Sequence, residues 1–188
     1  MSPPAGTATA PKDVADMRLA FDRSFAEPRR DGTEPVLDLL GIGVAAEPYA
    51  LRLADIRAVL ADRTPLRLPG SDSRLLGVVG LRASIIPVYD LAAVLGHPPV
   101  PAPRWLVVTA ARPSVALAFP TLDGHLRVSP GAIAKPAGDE PADPARRSLL
   151  AAVVRTAGGV RTVIDVAAIH ATIHATIHAA VGQRTGEQ

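Results

Sequence analysis

Between Leu75 and Gly96 the sequence leaves little choice of local structure. Two apolar runs, Leu75–Leu81 and Ser84–Tyr89, are separated only by Arg82-Ala83, which predicts two strands joined by a tight turn. Asp90 stands where a helix N-cap is wanted, ahead of the short apolar segment Leu91–Leu95. Gly96 follows where a left-handed residue is favoured, with Pro98 just beyond.

Other short apolar segments flank this unit: Val36–Leu40, Tyr49–Leu53, Asp55–Leu60, Trp105–Ala110, Val115–Phe119, Leu122–Val128, Leu149–Thr156 and Val160–Ile164. Alternation places Tyr49, Leu51 and Leu53 on one face and Arg52 on the other. Gly158-Gly159 supplies the positive φ of a hairpin turn. Asp165 caps a last helix, Val166–Val181, which is expected to stop at Gly182. Roughly nine or ten short strands with two or three helices indicate a barrel or sandwich rather than a parallel sheet. The proline-rich connector His97–Pro103 divides the strands into two groups of similar size, and Lys135–Arg147 reads as an exposed loop.

Residues 1–12 are small and proline-rich and read as a disordered tail. Val14, Met17, Phe21 and Phe25 then recur at helical spacing until Pro28. This amphipathic helix, about 13–26, either packs on the domain or docks a partner. The expected organisation is a tail with that helix over 1–33, one domain over 34–181 and a disordered tail over 182–188.

The 188 residues contain no cysteine, which excludes disulfides, thiolate metal sites and a cysteine nucleophile. The net charge is +2, too small for long-range attraction of nucleic acid. Aromatic residues make up 3% of the chain, too few for a base-stacking platform beside Arg52, Arg57, Arg63, Arg67, Arg74 and Arg82. The start has no basic region followed by an apolar one, so it does not read as a secretory leader. No apolar run approaches the roughly 18 residues of a membrane span. The expectation is a cytoplasmic protein that binds no nucleic acid and does not insert in a membrane.

Phosphate-binding glycine motifs, a GxSxG elbow and HExxH are all absent, and the Asp139-Glu140 pair lies in the expected loop. His170, His174 and His178 form an i, i+4, i+8 ladder on the last helix. Two such histidines can chelate a divalent ion, but the first and third drift by about 80° around the helix. Ile169, Ile173 and Ile177 form the apolar stripe beside them. A structural or neutral role and adventitious metal binding are the two readings. No cofactor and no catalytic residue is indicated.

The stretch LLGVVGLRASIIPVYDLAAVLG, residues 75–96, resembles the CheW-like domain signature GVxNLRGxIxPVxDL. Upstream, YALRLADIRAV at 49–59 is similar to the family's YALPLxxVxEV strand pair, and TPLRLP at 64–69 matches its proline-terminated segment. Leu122-Asp-Gly124 is similar to its VDxV region, and Val160–Asp165 to its closing strand. The resemblance runs from about Val36 to Ile169.

It implies a mainly β fold of two intertwined five-stranded SH3-like β-barrels with short helices and a C-terminal helix. It implies a non-enzymatic adaptor of bacterial chemosensory signal transduction. The implied partners are the cytoplasmic tip of a methyl-accepting chemoreceptor and the regulatory domain of a CheA-type histidine kinase. A divergent scaffold of another pathway and a His-rich metal-binding protein are the alternatives. Arg82 matches the arginine of NLRG and is the implied receptor contact. Ile56, Val59, Val79, Leu122 and Leu126 fall near the family's receptor groove between the lobes. The sequence departs from the family at Gly80, where Asn is usual, at Ala83, where Gly is usual, and at Ala58, where an acid is common. Ala83 resists positive φ, so a different turn geometry is expected.

Overall fold

The computed structural model describes residues 36–69, 72–99, 103–135 and 143–185, with side chains of the last helix described as far as 175. The chain divides into Met1–Glu34 and Pro35–Gln188, and every described residue belongs to the second unit. The segment expected to be helical at 13–26 and the Asp139-Glu140 pair lie outside the described residues.

The elements in order are β1 (Leu37–Val44), β2 (Glu47–Arg52), β3 (Ile56–Ala61), β4 (Leu75–Leu81), β5 (Ser84–Asp90), α1 (Leu91–Val94), β6 (Trp105–Thr109), β7 (Ala116–Phe119), β8 (Thr121–Val128), β9 (Ile133–Ala134), α2 (Pro144–Arg147), β10 (Leu150–Thr156), β11 (Gly159–Ile164) and α3 (Val166–Thr185). They build two sheets, ordered β8-β1-β2-β11-β10-β9 and β3-β6-β7-β5-β4. The fold is mainly β, as expected.

The proline-rich connector does not separate the sheets. The first sheet takes β1 and β2 from before it and the rest from after it, while the second combines β3, β4 and β5 with β6 and β7. The two are therefore intertwined. The exchange needs parallel pairings, β2 with β11 and β5 with β7. Connector composition marks a turn between strands, not which sheet receives them.

Each sheet curls so that its edge strands approach through continuous chain. After β3, Leu66 exchanges both backbone hydrogen bonds with Val78 of β4, at 2.8 and 2.9 Å. The contact requires Gly77, whose φ is +141°, because a Cβ there would lie 2.2 Å from the Leu66 carbonyl oxygen. In the other sheet, β8 runs through a short turn at Pro130–Ala132 into β9 at the opposite edge.

Side-chain alternation sorts the apolar residues into three cores. One lies inside the β3–β7 sheet and includes Val79, Ile86, Val88, Leu106 and Ala118. A second lies inside the other sheet, around Leu39, Val128, Val154 and Val163. A third, the largest, sits between the sheets and gathers Ile42, Tyr49, Leu51, Leu117 and Phe119 with Leu91 and Leu95. All four residues of β7 are buried because its two faces serve different cores. Burying such a side chain stabilises by about 1.5–3 kcal/mol.

The helices are set by their caps. Asp90 accepts a hydrogen bond from the Ala92 N–H at 2.9 Å, and Gly96 has φ +80°. Asp165 accepts from the Ala168 N–H at 3.0 Å, and Ile169 and Ile173 turn into the shared core. The expected stop at Gly182 does not occur, since α3 continues to Thr185. A single glycine costs a helix only about 1 kcal/mol.

Candidate partner-binding surface

Strand register builds an aliphatic surface on the outer face of the β4–β5 hairpin. Residues paired across strands share a face. Val79 pairs with Ile86 and faces the inner core. Val78–Pro87 and Gly80–Ile85 therefore face outward, and Leu66 adjoins Val78 on the same side. Leu66 is 72% and Ile85 78% exposed. Farther along β5, Tyr89 has the same outward parity but is covered by the shared core. Gly80 leaves Ile85 uncovered, since a Cβ there would meet nothing within 4 Å.

At the tip of this hairpin Arg82 is exposed, with φ +55°. Ala83 avoids positive φ, as expected of a residue with a Cβ, and Arg82 carries the left-handed conformation. For an L-residue this conformation costs roughly 1–2 kcal/mol. Arg82 makes no ion pair among the described residues, whereas Arg74, Arg104, Arg127, Arg146 and Arg161 each meet a carboxylate.

The other expected site residues are dispersed. Val59 is 38% exposed on β3. Ile56 and Leu122 are half-buried against the shared core. Val79 lies inside the β3–β7 sheet and Leu126 packs against the core of the other. The structure brings Ile56 and Leu122 to one cluster and leaves Val79 and Leu126 in two different ones.

The histidine ladder forms no three-ligand cluster among the described residues. His170 Nε2 lies 2.6 Å from the Pro113 carbonyl oxygen. A carbonyl only accepts, so that nitrogen carries the proton and offers no lone pair to a metal. His174 packs against His170 with ring centroids 4.4 Å apart, and its buried Nε2 has no hydrogen-bond partner among the described residues. The His178 side chain lies outside the described residues.

A polar cluster on the other sheet has no counterpart in the sequence reading. Glu47 and Tyr49 of β2 meet His97, beyond α1, and Arg146 of α2. The Tyr49 hydroxyl donates to Glu47 at 2.7 Å and accepts from Arg146. Its oxygen lies 3.1 Å from His97 Nε2 and, its proton already given, accepts there too. Burial, reinforced by the bond to Glu47, pushes the phenol up to about 12. Burial raises Glu47, but Tyr49 and Arg146 outweigh it and hold the carboxyl below its usual range. Burial, then the Arg146 charge, lowers His97. Arg146 belongs to the stretch read as an exposed loop, and nothing local marks it as a partner of β2.

Residues 38–173 match the family model of the CheW-like domain. The chain belongs to the CheW-like domain family. It is 27% identical over 74 residues to a probable chemotaxis protein CheW of Rhizobium etli, an alignment covering 39% of this chain. That match spans about half, 48%, of the relative's length. The fold is similar to that of the crystallised scaffolding protein TtCheW from Thermoanaerobacter tengcongensis, with a TM-score of 0.61 and 18% identity. The similarity covers 69% of this chain and 89% of that one. Within this CheW-like domain no described helix is long and apolar enough to cross a membrane.

Proposed function

We propose that this chain is a non-enzymatic adaptor of a bacterial chemosensory system. It bridges the cytoplasmic tip of a methyl-accepting receptor to the regulatory domain of a CheA-type histidine kinase. Arg82 contacts the receptor, while Ile56, Val59, Val79, Leu122 and Leu126 shape or support the groove. Membership of the CheW-like family and the likeness to a scaffolding protein support this reading.

The observation that carries it is the state of Arg82. A guanidinium with no ion pair among the described residues stands in solvent on a left-handed backbone that glycine would adopt more cheaply. Strain retained at an exposed arginine points to a contact made in a complex. A guanidinium suits a two-pronged bond to a receptor carboxylate. The neighbouring Ile85 and Leu66 supply apolar area of the kind partner surfaces use.

The test is capture from lysate of the source cells with tagged protein, beside Arg82→Glu. The expected result is co-purification of the kinase and receptors with the parent, and loss of receptors alone with the variant. Capture of neither partner, under conditions that keep arrays intact, overturns the proposal.

A further inference from the structure

Ahead of β7 the β3–β7 sheet opens into a cleft of about 530 Å³, with Arg57 of β3 and Arg112 at its walls and His174 of α3 lining it as well. No aspartate or glutamate among the described residues lines it. Among the described residues neither Arg57 nor Arg112 has an ion-pair partner, in contrast to the five arginines paired elsewhere. Two unpaired guanidiniums around one cleft repel each other until an anion enters.

The cleft also borders an unfinished sheet edge. Strand β5 pairs with β4 from Ser84 onward, but its pairing with β7 begins only at Val88. Among the described residues, Ser84, Ile85 and Ile86 therefore have a neighbouring strand on one side only. Their other side borders the cleft, where the chain before β7 passes as the Arg112–Val115 loop. Pro87, which has no N–H to give, sits at the boundary where the second ladder starts. An open edge of this kind pairs with extended chain.

We infer that this cleft binds an extended acidic peptide segment of a partner protein. The segment lies beside Ser84–Ile86 and places carboxylates against Arg57 and Arg112. Its aliphatic side chains cover Ile85 and Pro87. The alternatives fit less well. A metal cation is repelled by both arginines. Inorganic phosphate satisfies the charge but leaves the aliphatic walls wet. A nucleic-acid strand finds no phenylalanine, tyrosine or tryptophan to stack on among the described residues lining the cleft. The inference does not depend on the partner being a receptor or a kinase.

The experiment is an amide chemical-shift titration of the full chain with an end-blocked octapeptide alternating glutamate with valine or threonine. Its comparison peptide carries glutamine for each glutamate. The expected result is saturable shifts at Ser84–Ile86 and at Arg112 and Ser114, with at least tenfold weaker binding of the glutamine peptide. The double variant Arg57→Glu, Arg112→Glu changes only exposed side chains. It is expected to keep a folded spectrum and lose at least tenfold in affinity. Equal binding of the two peptides, binding unaffected by the double variant, or no saturation at millimolar peptide each overturns the inference. Glutarate binding as tightly as the peptide also overturns it, because the site is then a small-anion pocket. Receptor and kinase capture is scored separately, so either proposal can fail alone.

Discussion

Arg146 of α2 donates a hydrogen bond to the phenol of Tyr49 on β2, a residue 97 positions earlier in the chain. The same guanidinium meets Glu47, which also receives the Tyr49 proton at 2.7 Å. The triad ties the segment after β9 onto the first sheet. Its phenol is favoured in the neutral form, so the sign of its pH dependence follows. Folded Tyr49 titrates near 12, against about 10 in an unfolded chain. Its contribution is complete below pH 10 and is lost as pH rises toward 12. The expected loss is on the order of 2 kcal/mol. Tyr89, raised first by burial and then by Asp72, adds to the same slope. Urea unfolding at pH 9 and 11.5 checks this. Tyr49→Phe should be less stable at pH 9 but lose less between the two values than the parent.

Gly77→Ala should destabilise by about 2–4 kcal/mol, through a strained φ and the loss of the paired Leu66–Val78 hydrogen bonds. Gly80→Ala, three residues along the same strand, meets open space. It should stay within about 0.5 kcal/mol of the parent or gain slightly. Denaturant midpoints of the two variants check this, and similar midpoints would refute the closure of the sheet at Leu66.

Much of this architecture was legible in the sequence because it is local. The two-residue turn, the Asp90 and Asp165 caps and the extent of β4 each depend on residues close together in the chain. What was not legible is non-local. Assignment of strands to sheets depends on the parallel pairings β2–β11 and β5–β7, which leave no mark in the connector at 97–103. Arg146 looks like any arginine of a polar loop until Tyr49 stands beside it. Within the candidate site, Arg82 was found by resemblance to a motif. The exposure of Ile85 follows only from register, and from the end of the shared core before that point.

The turn between β1 and β2 places Ala45 and Ala46 at φ 50° and 66°. Two adjacent positive φ values suit Asn-Gly, the preferred pair for such a hairpin. Ala45→Asn with Ala46→Gly should stabilise by about 1 kcal/mol, most of it from relieved backbone strain. Thermal unfolding of the double variant should show a midpoint raised by a few degrees, and an unchanged or lowered midpoint would refute the strain argument.

Ile85 and Ile86 are adjacent in sequence and opposite in fate, 78% and 2% exposed. Strand periodicity alone separates them. Ile86→Ala should cost about 2–4 kcal/mol by opening a cavity among Val79, Val88 and Leu106. Ile85→Ala removes a side chain that the folded domain hardly buries, so stability should move by less than about 0.5 kcal/mol. If the outer face of the hairpin meets a partner, Ile85→Ala should still weaken capture of that partner. Ile86→Ala should weaken it only in proportion to the unfolded fraction. Parallel denaturation and capture of the two variants separates a docking residue from a core residue one position away. Equal loss of stability in both would place Ile85 in a core, and the outer face would no longer be a docking surface.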